Sequence, residues 1–123
     1  MPCGKEQIIC MEPGSIITLV IGGLVGLSLI AIGIHQMRKR TPVAFYSGEE
    51  PPAEACLKSV RGWNTGHGLL WVGYGLIVAA SYVLAVFLTA DPLYKSLLLF
   101  CGTVLPILLL VAGHRLCIRK YLL

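Results

Sequence analysis

Three long apolar segments, near residues 15–35, 68–89 and 96–113, constrain the fold of this chain more than any other feature. Each is close to the ~20 apolar residues that a helix needs to cross a bilayer core, and none carries Asp, Glu, Lys or Arg. Inside a bilayer no water satisfies backbone N–H and C=O groups, so such segments cross as helices. The expected fold is all-α, a membrane protein of three transmembrane helices. The remaining parts are an N-terminal tail (1–14), a loop (36–67), a turn (90–95) and a C-terminal tail (114–123).

The charges orient this arrangement. Arg38, Lys39, Arg40, Lys58, Arg61, Arg115, Arg119 and Lys120 fall on one side, leaving Lys5 and Lys95 opposite. Cytoplasmic loops carry the excess of Lys and Arg, which predicts an exterior N-terminus and a cytoplasmic C-terminus. A net charge of +4 raises the question of a nucleic-acid partner. Basic residues flanking membrane spans instead meet anionic headgroups, at about 1 kcal/mol each, so lipid is the expected partner and nucleic acid is not. The first apolar segment lacks a basic n-region and precedes the Arg38-Lys39-Arg40 cluster, as an uncleaved anchor does. Composition agrees, with 56% hydrophobic and 13% charged residues against about a quarter charged in soluble domains.

Small residues mark packing faces. Gly22 and Gly26 form a G-x-x-x-G pair, Gly33 continues it, and Gly75 and Ala79 repeat the pattern on the second segment. Such stripes let helix backbones approach closely, either within one chain or between copies in a homo-oligomer. Tyr82 lies near mid-membrane, where its hydroxyl needs an acceptor such as a backbone carbonyl, Ser28 or Thr103. Pro106 removes a backbone donor and frees a carbonyl near Cys101 to Thr103. Trp71, Tyr74, Phe87 and Tyr94 fit an interfacial aromatic belt. Asp91-Pro92 reads as a turn and helix start. Cys3 and Cys10, in the exterior tail, are free thiols or a small disulfide loop.

The loop concentrates the remaining information. After Thr41-Pro42, an extended stretch through Val43, Ala44, Phe45 and Tyr46 can lie against headgroups. Ser47-Gly48 turns the chain, and Glu49-Glu50 before Pro51-Pro52 resembles a helix start. Apolar positions Ala53, Cys56, Leu57, Val60 and Trp63 follow helical spacing, with Glu54 and Lys58 paired at i,i+4. This predicts an amphipathic cytoplasmic helix over residues 53–64, ending near Gly66 and Gly68.

The run RTPVAFYSGEEPPAEACLKSVRGWNTGHGLLWVGYG, Arg40 to Gly75, resembles a set of small bacterial membrane proteins without assigned activity. In these a Thr-Pro, an aromatic-Ser/Thr-Gly-Glu and a Pro-Pro precede a Trp/Tyr-Asn. More distantly, Arg40-Thr41-Pro42 with Trp63 and His67 resembles the Arg-Thr-Pro and Trp-x-x-x-His arrangement of SdpI-like immunity proteins. That likeness implies protection against a secreted toxin. It covers a quarter to a third of the chain, and the stretch from Ser47 to Lys58 is longer here.

Topology brings His35, His67 and His114 to one inner layer, with Cys117 one turn after His114. Four such ligands suit a tetrahedral zinc site, and neutral imidazole can also handle protons. The spacings match no metal motif, and histidine at a helix C-terminus is favoured by the dipole alone, so interfacial anchoring is the simpler expectation and no cofactor is implied. Glu49, Glu50 and Glu54 on a surface loop make no acid pair, and Ser47-Gly48-Glu49 is no nucleophile elbow. Non-catalytic interaction, regulation or immunity is therefore expected, worked through the loop surface of Arg40, Thr41, Pro42, Glu49, Glu50, Trp63, Asn64 and His67. A membrane or cytoplasmic protein is the expected partner. The alternative is an oligomeric transporter or channel, although no span carries an ionisable group at depth.

Overall fold

The computed structural model describes residues 13–45, 49–88 and 91–123. Within them the chain forms three helices, α1 (Pro13–Arg38), α2 (Val60–Leu88) and α3 (Pro92–Tyr121), each long and apolar enough to cross a membrane. Cys3 and Cys10, expected as free thiols or a small disulfide loop, and the expected Ser47-Gly48 turn lie outside the described residues. Leu24, Leu27, Leu76, Phe87, Leu97 and Leu108 are among the many large apolar side chains left exposed, as a lipid-facing surface requires.

The helices are longer than the apolar segments that define them. α2 begins at Val60 rather than at residue 68, and α3 runs to Tyr121 rather than ending at residue 113. At 1.5 Å per residue, 29 and 30 residues extend about 44 and 45 Å, against a hydrocarbon core of about 30 Å. Both surpluses lie at the same end, so α2 and α3 continue as a helical pair beyond the apolar layer. On α3, Asp91 caps the other end by accepting from the Leu93 N–H (3.0 Å), with Pro92 in the first turn. Tyr94 and Lys95 thus belong to the helix and not to the turn.

α2 is the middle helix, packed on α1 along one face and α3 along another. Against α1 the contact is made by backbone. A Cβ on Gly33 would overlap the Gly68 carbonyl oxygen, and one on Gly26 would sit 2.9 Å from the Ala79 Cβ and 3.0 Å from the Gly75 carbonyl oxygen. The small-residue stripes therefore face each other within one chain, with the Tyr82 ring over Gly22. Against α3, Leu70 lies on Gly113 and Ser81 on Gly102. The Tyr74 hydroxyl, and not that of Tyr82, donates to the Thr103 carbonyl (2.7 Å), one residue beyond the Gly102 carbonyl that Pro106 leaves without its helical donor. Tyr74 is thus a helix-to-helix tie.

The expected amphipathic helix over 53–64 is replaced by two different structures. Glu54–Cys56 form a single 3-10 turn, and Leu57 leaves it extended to bridge Leu122. The Lys58 N–H donates to the Tyr121 carbonyl (2.7 Å) and the Leu123 N–H to the Cys56 carbonyl (2.9 Å). Val60 to Asn64 are the first turns of α2 itself, started by Ser59, whose hydroxyl accepts from the Gly62 N–H (3.0 Å). The helical spacing of the apolar positions was real. Leu57 and Trp63 do turn to one core, but they reach it from an extended segment and a helix, because pairing with the end of α3 satisfies backbone groups at Cys56 and Lys58 that a helix would otherwise use.

Candidate functional site

Asn64 and Trp63 organise the site by binding backbone. The Asn64 side chain accepts from the Val43 N–H (3.0 Å) and donates to the carbonyls of Lys39 (3.0 Å) and Thr41 (2.8 Å), while the Trp63 indole N–H donates to the Val43 carbonyl (2.9 Å). One amide and one indole thereby hold residues 39–43 as an extended strap across the projecting ends of α2 and α3. Val43, Leu57, Trp63 and Cys117 form the small apolar core beneath it, with Ile118, Tyr121 and Leu122 at its margin. Val43 and Phe45, expected against headgroups, face inward instead, because the α2–α3 projection offers them an apolar partner of protein.

Beneath the strap the two inner histidines meet. His67 Nδ1 lies 2.8 Å from the Trp63 carbonyl, and His67 Nε2 lies 2.8 Å from His114 Nδ1. A carbonyl only accepts, so Nδ1 of His67 carries the hydrogen and its Nε2 presents a lone pair. His114 Nδ1 must then donate. The remaining nitrogen, His114 Nε2, faces Glu49 Oε1 at 3.9 Å, and the other Glu49 oxygen accepts from the Phe45 N–H (3.0 Å). Phe45 stacks on His114 with ring centroids 4.2 Å apart and planes 9° from parallel, and Trp63 covers His67 at 4.3 Å. The result is a hydrogen-bonded run from His114 to His67 to the Trp63 carbonyl, with the Glu49 carboxylate facing its outer end beyond hydrogen-bond range.

This geometry redistributes the expected site residues. Trp63 (3% exposed), Asn64 (0%) and His67 (0%) are internal and present nothing to a partner. Their polar atoms are committed to the strap, and leaving them unpaired would cost more than exposure would gain. Arg40, Thr41 and Glu50 are exposed, Pro42 and Glu49 half-buried. His35 is exposed on α1, away from the pair, since it follows the apolar face of a helix that ends at Arg38. Cys117 is buried against Gly66. Among the described residues no group of three His, Cys, Asp or Glu is arranged to hold a metal ion. The 2.8 Å between the two imidazole nitrogens is a shared-proton distance; two ligands about 2.0–2.1 Å from one tetrahedral zinc would stand about 3.3 Å apart. The Glu54–Lys58 pair is not formed, since Lys58 follows the 3-10 turn.

Phe45 and Trp71 are site residues that sequence reasoning missed; their rings lie 5.9 Å apart, with Phe45 against both histidines and Trp71 against Phe45. The signal was the i,i+4,i+8 spacing of Trp63, His67 and Trp71, visible only if one helix runs through Gly66 and Gly68. Those glycines suggested a helix break. They are kept for close approach, Gly66 to Cys117 on one side and Gly68 to Gly33 and Met37 on the other. Compared with known proteins, the chain matches no family model, no curated protein and no solved structure.

Proposed function

We propose that this chain is a non-catalytic regulatory protein of the bacterial inner membrane, N-terminus outside, whose inner strap is a latch set by protonation of the His67–His114 pair. The carrying observation is the part-buried 2.8 Å contact between the imidazoles, continuous with the Trp63 carbonyl and facing Glu49 at its far end. With two hydrogens on the pair, His114 Nε2 turns a lone pair toward a carboxylate. A third hydrogen, placed there, makes an imidazolium facing Glu49 and draws the strap down. A fourth would put an N–H on each of the two touching nitrogens and break the pair. Histidine is the side chain that makes such changes near neutral pH. The latch is therefore tightest when one extra proton is held, and loosens in both directions from there.

The residues that carry the likeness to immunity proteins are members of this latch. The Thr41 carbonyl and Trp63 hold the strap directly, and His67 lies beneath it bonded to the Trp63 carbonyl and to His114, so this part of the motif is read as a way of docking a loop, while Arg40, also in the motif, and Glu50 form the face that a membrane or cytoplasmic partner meets. Hydrogen exchange of residues 39–57 in bilayer nanodiscs, corrected for intrinsic rates, tests the latch. The partly exposed His114–Glu49 pair is worth roughly 0.2–1 kcal/mol when charged, so across a pH series opening should be up to about fivefold rarer at the pH of greatest protection than on either side of it. Glu49→Gln should flatten that profile. Protection independent of pH in the unaltered chain would refute the proposal.

A further inference from the structure

A second site lies on the other side of the α2–α3 projection. A groove of about 540 Å³ runs between the first turns of α2 and the last turns of α3. It exists because Gly62 and Gly66, one turn apart, present no side chains. The Tyr121 ring and Cys117 sulfur close against them as a floor, and a Cβ on Gly62 would overlap that ring. The walls have a polarity gradient. At the end away from the apolar layer stand Arg61, Lys120 and the Ser59 hydroxyl; toward the apolar layer stand Leu69 and Leu116, 57% and 63% exposed. Arg61 and Leu69 are separated by about 12 Å along the helix at 1.5 Å per residue. Among the described residues neither Arg61 nor Lys120 has a carboxylate partner, the ion pair found being His114 with Glu49.

Two cations and a hydroxyl above an open apolar channel, directed along the membrane normal, match one kind of molecule. We propose that this groove seats a single anionic phospholipid of the inner leaflet. Its phosphate lies between Arg61 and Lys120 and its acyl chains descend past Leu69 and Leu116. A soluble anion would use only the cationic end, leaving the apolar walls unexplained. The site includes none of His67, His114 and Glu49, shares only its floor residues Cys117 and Tyr121 with the core beneath the strap, and rests on the reading of α2 and α3 as membrane spans.

Native mass spectrometry of the full chain, released from nanodiscs of equal phosphatidylglycerol and phosphatidylcholine, provides the test. One phosphatidylglycerol should be retained in preference to phosphatidylcholine. Arg61→Gln and Lys120→Gln should each weaken that retention about fivefold, the fold-change of one lost cation near a surface. Arg61→Lys should restore it, and Arg119→Gln, which removes a neighbouring charge outside the groove, should leave it unchanged. Equal retention of both lipids would overturn the proposal, as would an Arg119→Gln loss equal to that of Arg61→Gln, which signals diffuse attraction. Displacement of the bound lipid by millimolar inorganic phosphate would mark a soluble-anion site and overturn it equally.

Discussion

Asn64 shows how much a single side chain can hold. Its amide satisfies one N–H and two carbonyls of a segment that has no strand or helix to pair with. Asn64→Ala is expected to leave all three without protein partners and to destabilise the strap by about 2–3 kcal/mol. Limited proteolysis should then cut between α1 and α2 while the spans stay intact; an unchanged cleavage pattern would contradict this account. Asn64→Asp keeps the acceptor for Val43 but turns a negative oxygen toward two carbonyls, so it should be at least as harmful. The importance of Trp63, Asn64 and His67 was legible in the chain. Their direction was not. A Trp-Asn-x-x-His run in a polar loop reads equally as display or as anchorage, and the choice depends on whether carbonyls from residues 39–43, more than twenty positions away, arrive above them.

At the scale of elements, the two interfaces of α2 differ in kind. The contact with α1 is backbone to backbone, so Gly33→Ala has no flexible side chain to displace against Gly68 and should cost about 1–3 kcal/mol. Gly23→Ala, where a Cβ meets nothing within 4 Å, is the matched control and should be neutral or slightly stabilising. Thermal denaturation of both variants in the same detergent separates them, and equal melting temperatures would refute the packing. The contact with α3 includes, besides the histidine pair, a part-buried polar tie. Tyr74→Phe removes the donor to the Thr103 carbonyl and should cost about 0.5–1.5 kcal/mol by the same measurement. The glycine stripes were readable because close approach demands small residues wherever it occurs. Which copy of the chain supplies the facing stripe required the fold. The Tyr74 tie was half readable, in that a tyrosine within a span needs an acceptor for its hydroxyl, while the carbonyl it reaches depends on how the two helices are staggered.

For the molecule as a whole, the eight basic residues on one side predict the orientation in which α2 and α3 project into the cytoplasm. A C-terminal green fluorescent protein fusion should fluoresce and a C-terminal alkaline phosphatase fusion should be inactive; the opposite pair of results would invert the topology. Replacing Arg38, Lys39 and Arg40 with neutral residues should shift part of the population toward the inverted form. What the sequence by itself determined was the set of three apolar helices, the glycine faces and the gathering of charge at one end. Those follow from local rules: apolar length, backbone satisfaction in lipid and the bias of basic residues. The tertiary structure decided how far the helices continue past the apolar layer and what covers their ends. Continuation through Gly66 and Gly68 is a poor choice for an isolated helix. It becomes favourable only when Cys117, Met37 and the Gly33 backbone occupy the space those glycines leave. The meeting of His67, His114 and Glu49 follows from that extension, because three positions far apart in the chain come together within 4 Å contacts only when helix length, helix stagger and the path of the strap are set together.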